Sequence, residues 1–214
     1  MDTLNAEARQ KKLETIIEMR IVEYLKDVLG DVPQGLSTTI LSYSKLICGT
    51  KDQFIEEAGS PEDGQLLFFE SGIAHTFYYS PGKKKHTTTH VTKKNEVLMD
   101  INSFIHRTSR QRNVQMLEDG IILSIRYPHL RALLSNYPIL HTLQWQFQAE
   151  NEKQHLYYQH LLKLPLDERI KVFLDDNPGI ASRINNDHLA NYLGTCRTGF
   201  STAYSKYRNE KDKS

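Results

Sequence analysis

Over residues 2–29 the apolar side chains Leu13, Ile16, Ile17, Met19, Ile21, Tyr24, Leu25, Val28 and Leu29 recur at three- and four-residue intervals among Lys, Arg and Glu. That period predicts an amphipathic helix, ended by Gly30 and Pro33 and packed on the domain that follows. From about Leu36 to Tyr127 the pattern changes to short runs rich in Ile, Val, Thr, Phe and Tyr, separated by turn clusters such as Glu70-Ser71-Gly72, Ser80-Pro81-Gly82-Lys83 and Lys94-Asn95-Glu96. Many short strands at near-regular spacing predict an antiparallel barrel or sandwich. Between 66–69 and 74–79, Gly72 supplies the positive φ that a tight hairpin wants.

After Tyr127 the period is helical to the end. Leu130, Leu133 and Leu134 predict a short helix that stops near Tyr137-Pro138, because proline restricts the residue before it. A long helix then runs to about Lys163, with Leu140, Leu143, Phe147, Tyr157, Leu161 and Leu164 on a seam interrupted by Glu150 and Gln154. Such a seam points to a second copy of the chain as its partner. Three short helices follow, at 166–175, 186–193 and 197 to about 207. The expected division is a sensor-like part at 1–137, a connecting helix at 138–164 and a helical end module at 165–214.

Composition narrows the function. A chain of 214 residues is long enough for one large domain or two small ones. Its 27 Lys and Arg against 26 Asp and Glu, a net charge of +1, argue against a uniformly basic coat for nucleic acid but leave room for local patches. No apolar run approaches the roughly 18 residues of a membrane span, and residues 1–7 carry acids without an apolar signal region, so a cytoplasmic protein with no membrane partner is expected. Cys48 and Cys196 lie far apart and outside any C-x-x-C pair, so zinc-ribbon and iron–sulfur chemistry lack ligands. Cys196 reads as a small residue filling a turn. His86 and His90 share a strand face, but Lys83, Lys84, Lys85, Lys93 and Lys94 surround them, which favours a solvated hairpin over a cupin-like metal site. Nucleophile-and-base constellations and Gly-rich phosphate loops are missing, so no catalytic residue, no metal and no enzyme are expected.

The richest segment is 187–208. Leu189, Ala190 and Leu193 pack one helix, Gly194 allows a sharp turn, and Phe200 closes the core from a second helix; this is helix-turn-helix spacing. The second helix carries Arg197, Thr198, Ser201 and Thr202 on its first two turns, with Lys206 and Arg208 beyond, where side chains reach base edges and phosphates in a major groove. Over 195–214 five basic residues stand against Glu210 and Asp212, the local positive end that phosphate attraction needs.

With these residues in place, the chain resembles the Crp/Fnr superfamily of bacterial transcription regulators over nearly its whole length after the first helix. The most specific matches are Leu189-Ala190-Asn191-Tyr192-Leu193-Gly194 and Leu67-Phe68-Phe69-Glu70-Ser71-Gly72, supported by Asn102-Ser103-Phe104, Tyr137-Pro138 and Asp167-Glu168-Arg169. The resemblance implies an α+β chain: an N-terminal helix and antiparallel β-roll of the cyclic-nucleotide-binding type, a long dimerisation helix and a C-terminal winged helix-turn-helix. It implies a homodimer on double-stranded DNA, with RNA polymerase as a further partner.

Two departures bear on function. Cyclic-nucleotide binders of the family use a Phe-Gly-Glu-type turn followed ten residues later by a phosphate-pairing arginine. Here the turn reads Leu98-Met99-Asp100 and Arg110 stands ten residues after Asp100. Asp100 retains an acceptor for a ribose hydroxyl, and Arg110 or the neighbouring Arg112 a donor for an anion. Met99 occupies the glycine position, which points away from cyclic AMP and toward a different small anionic effector or none. His155, beside Glu150 and Gln154 on the long helix, is the expected coupling residue. In the recognition helix Arg197 matches the family's first arginine, whereas Thr198 and Thr202 stand for a Glu and an Arg. Each such contact is worth about 1–3 kcal/mol of base discrimination, so site preference should differ from the family's usual operator. The alternative is a ligand-binding or protein-interaction dimer whose helix-turn-helix no longer binds DNA.

Overall fold

A computed structural model describes residues 5–82 and 85–211; Lys83 and Lys84 of the expected basic hairpin lie outside the described residues. The elements are α1 (Ala6–Ile16), a π-helical turn (Ile17–Val22), α2 (Glu23–Leu29), α3 (Leu36–Tyr43), β1 (Ser44–Gly49), β2 (Phe54–Glu56), β3 (Gln65–Phe69), β4 (Ala74–Ser80) and β5 (Lys85–Thr92). They continue with β6 (Val97–Leu98), α4 (Ile101–His106), β7 (Asn113–Met116), β8 (Gly120–Arg126), α5 (Tyr127–Asn136), α6 (His141–Lys163), α7 (Leu166–Asp176), α8 (Ile180–Arg183), α9 (Asn186–Tyr192) and α10 (Arg197–Lys211). Contacts divide the chain into two units: residues up to Ala74 together with Thr92–Gln148, and His75–Val91 together with the chain from Ala149 onward.

In the first unit an antiparallel sheet runs in the order β1-β8-β3-β6. Register is regular, from Ser44 opposite Ile125 to Gly49 opposite Gly120. Alternation along the strands splits the core, since successive side chains leave a sheet on opposite faces. Leu67, Phe69 and Ile122 point into a cluster with Val114 and Met116. Phe68, Leu123 and Ile125 point the other way, into a larger cluster with Leu13, Ile16, Ile17 and Leu25 of the N-terminal helix. That helix ends at Gly30, with φ 76°, as its pattern predicted.

Three expectations change. Residues 36–43 are helical, not extended: Leu36 and Ile40, one turn apart, are both buried, and Thr39 and Ser44 return hydroxyl hydrogen bonds to the carbonyls of Gly35 and Ile40. Burial of that i, i+4 pair outweighs the β-propensity of the Thr and Ile content. The segments around Gly72 form no hairpin with each other, because β3 pairs with β8 and β6. Gly72 keeps its positive φ of 91°, but in a connection that leaves the sheet. Over 165–211, finally, all regular elements are helices; no strand of a wing occurs there among the described residues.

The second unit joins the β4–β5 hairpin to the C-terminal helices. Asn191 of α9 brackets the β5 backbone: its side-chain N–H donates to the His86 carbonyl at 2.8 Å, and its Oδ1 accepts from the Thr88 N–H at 2.9 Å. The His75 ring stacks on Phe77 and meets the edge of His188 at 4.8 Å. Thr88, Val91 and Thr92 are buried, so this strand is half covered and not the fully solvated hairpin its lysines suggested.

Candidate nucleic-acid interface

The turn between α9 and α10 is built from local hydrogen bonds. Asn185 caps α9 by accepting from the Asp187 N–H at 3.0 Å. At the other end the Thr195 N–H donates to the Ala190 carbonyl at 2.9 Å, and Gly194 takes φ 66°. Leu189, Ala190, Leu193, Phe200 and Ala203 are buried and hold the two helices together with α7. Arg169 of α7 fastens the arrangement: one guanidinium nitrogen donates to the Leu193 carbonyl at 2.7 Å, and the other donates to the carbonyls of Leu162 and Leu164 at 3.0 and 2.8 Å. Three helix termini thus share one side chain. Cys196 is exposed, and its Sγ accepts from the Gly199 N–H at 3.4 Å.

With Phe200 and Ala203 turned inward, the helical period turns Arg197, Thr198, Thr202, Lys206 and Arg208 outward. Arg197, Thr198, Thr202, Lys206 and Arg208 are exposed and Ser201 is half-buried. Two of the cations have acid neighbours: Arg197 lies 3.2 Å from Asp187, and Lys206 lies 2.7 Å from Asp167. All four side chains are more than half exposed, so these pairs are weak and yield to a phosphate at little cost. Further along, hydrogen bonds from Tyr207 and Lys211 hold the Asp175 carboxyl below its usual range.

The expected effector residues fall in different surroundings. Asp100 caps α4, its Oδ1 accepting from the Ser103 N–H at 3.0 Å. Its peptide is clamped by the buried Tyr127, whose hydroxyl accepts from the Asp100 N–H and donates to the Asp100 carbonyl. Arg112 reaches the Asp100 carboxylate only at 4.0 Å and is partly exposed. Arg110 is 5% exposed, with Nη1 at 2.9 Å from Glu56 and Nε donating to the Ser60 carbonyl at 3.0 Å. A two-way backbone bridge to Gly59 fixes it further. Burial raises the Glu56 carboxyl above its usual range, against the opposing pull of Arg110. His155 lies on α6 in the second unit, bonded to Gln159 at 2.7 Å.

Two residues were not singled out by sequence reading. Glu56 sits where the β2–β7 register shifts, and a bulge of that kind leaves no mark in composition. Asn191 belongs to the helix-turn-helix motif, but its partner strand lies more than a hundred residues earlier.

No family model and no curated protein matches the sequence. Solved structures do match it in shape. A Crp/Fnr-family protein from Eubacterium rectale superimposes with a TM-score of 0.68 at 15% identity, over 86% of this chain and 87% of that one. FixK2 from Bradyrhizobium japonicum gives 0.66 at 14% identity, over 78% and 86%. CLP, the c-di-GMP-responsive global regulator of Xanthomonas campestris, gives 0.64 at 16% identity, over 84% and 93%. Antiparallel β-roll, long helix and C-terminal helix-turn-helix together give this chain the fold of the Crp/Fnr transcription regulators.

Proposed function

We propose that the protein is a homodimeric, sequence-specific DNA-binding transcription regulator of the Crp/Fnr type. The observation that carries the reading is the outward face of α10, where Arg197, Thr198, Thr202, Lys206 and Arg208 stand exposed behind a buried Phe200 and beside a well-capped turn. A helix N-terminus carrying an arginine and two hydroxyls is suited to base edges, and the cations that follow are suited to phosphates. Ser201, half-buried, completes the proposed contact set.

Residues 1–137 serve as sensor, 138–164 as dimerisation helix and 165–214 as DNA-binding module. Trp145, Leu156 and Tyr157 on α6 are exposed, Trp145 by 73%, and a second copy's α6 is the natural cover for them. Two modules would then enter successive major grooves of a near-palindromic site, with RNA polymerase a further partner at a promoter.

The effector, in this reading, is not cyclic AMP. Arg110 already faces a buried carboxylate, so a cyclic phosphate would have to displace Glu56. A small anion paired with Arg112 and donating a hydroxyl to Asp100, coupled to α6 near His155, remains the proposed signal. Calorimetric titration with cyclic AMP and cyclic GMP is expected to give no binding; tight binding lost in Arg110→Ala would reverse that view.

A second reading has one observation in its favour: Arg197 and Lys206 both sit beside acids, as they would in a helix-turn-helix that no longer meets DNA. Selection of genomic fragments with the purified full chain separates the two. Enrichment of a near-palindromic sequence supports the regulator; no enrichment at low salt leaves the interaction dimer.

A further inference from the structure

The first unit contains an apolar cavity of about 210 Å³ between the N-terminal helix, the sheet, α5 and the start of α6. Its floor is made by Leu25, Ile40, Leu123 and Leu133, each no more than 5% exposed. Its mouth is formed by Tyr24 and Val97, which are 52% and 37% exposed. Tyr24 and Gln144 are the polar side chains in the lining, and no charged residue contributes. Met99, at the position where the resemblance calls for a phosphate-cradling glycine, lines this cavity instead.

Protein interiors hold few voids larger than a water molecule, and an apolar void of about 150 Å³ stays dry and takes benzene. A cavity somewhat larger, closed below by aliphatic side chains and open at a rim with a phenol and an amide, is shaped for a chain with a polar end. We propose that it is a binding site for a small neutral aliphatic molecule of medium chain length, its hydroxyl or carbonyl at Tyr24 and Gln144 and its tail on Leu133 and Leu123. The uncharged wall selects against a carboxylate, because a buried charge without a partner is strongly disfavoured. Leu143, Gln144 and Phe147 belong to the first two turns of α6, so occupancy bears directly on that helix. Regulation of DNA binding through this contact rests on the reading above; occupancy itself does not.

The test is a titration of the full chain with 1-octanol, followed by the methyl resonances of Leu, Ile and Met. The expected result is saturable binding that moves the signals of Met99, Leu133 and Ile125, with octanoate at least roughly tenfold weaker because its charge finds no partner. Val97→Trp, at the end strand of the sheet and at the mouth, is expected to weaken octanol binding about tenfold by occupying the entrance. Leu143→Trp does the same from α6, and circular dichroism confirms that each variant is folded. Failure of the wild-type chain to bind octanol, equal affinity for octanoate, or undiminished binding in both folded variants overturns the proposal. Repeating the titration with a selected operator fragment reads coupling separately: octanol that binds without altering DNA affinity leaves the site standing and removes only its regulatory role.

Discussion

The guanidinium of Arg110 lies 2.9 Å from the carboxylate of Glu56, and both side chains are more than nine-tenths withdrawn from solvent. A buried pair of this kind offers little net stability over an apolar pair of the same volume, yet breaking it strands one charge in a poor solvent. Arg110→Ala is therefore expected to cost about 3–5 kcal/mol, whereas the double change Glu56→Leu with Arg110→Met recovers most of the loss. Urea unfolding of the three chains measures it; an Arg110→Ala loss below about 1 kcal/mol would show that the pair is not closed in solution.

The same pair carries a pH signature. Burial raises the Glu56 carboxyl in the folded protein, so the native state holds that proton more tightly than the unfolded chain does. Its contribution is complete below the unfolded carboxyl value and declines as pH rises through the folded one. The stability difference between the wild type and Glu56→Gln is expected to be most favourable to the wild type in acid and to shrink toward neutral pH. Melting temperatures across that range check the sign; a difference that grows with pH contradicts it.

In the proposed regulator, Asp187 sets how readily Arg197 is released to the DNA. The pair at 3.2 Å is exposed, so Asp187→Asn is expected to strengthen DNA binding severalfold at low salt, while Arg197→Ala weakens it and lowers the salt slope by about one. Fluorescence anisotropy over a salt series measures both, and equal slopes for Arg197→Ala and the wild type would remove Arg197 from the interface.

Gly199 lies where an added side chain would press on the Thr195 hydroxyl, although its position is helical. A Cβ there would lie 2.8 Å from the Thr195 Oγ1 and 3.4 Å from a Leu166 methyl. Ala ordinarily gains about 1 kcal/mol over Gly inside a helix. Here Gly199→Ala is expected to destabilise the chain, and adding Thr195→Ala to restore the ordinary gain. Thermal melts of the single and double variants decide it, since a stabilised single variant would mean that the turn relaxes freely.

Arg169 is the fork that joins three helix ends, and lysine cannot reproduce its planar geometry. Arg169→Lys is expected to lose about 2–3 kcal/mol and to speed amide exchange at the end of α9. Exchange rates for Leu193 and Gly194 unchanged from the wild type would show that the carbonyls are held by other means.

Much of the architecture was legible in the residue order because it rests on local regularities. The three- and four-residue period announced the helices, turn residues bounded the strands, and the spacing from Leu189 to Phe200 announced the helix-turn-helix, since each depends on neighbours within one or two turns. The exposure of Arg197, Thr198, Thr202, Lys206 and Arg208 was legible for the same reason: once Phe200 is inward, the period leaves them outward. Contacts between distant segments were decided only in the folded chain. The helix at 36–43 exists because Leu36 and Ile40 find a core made of other elements. Glu56, at a register shift in β2, meets Arg110 from the segment before β7. Asn191 meets β5, and Met99 meets an apolar cavity, through pairings that cross tens to a hundred residues. Periodicity tells each side chain which face to take. Only closure of the roll and docking of the helices tell it what stands opposite.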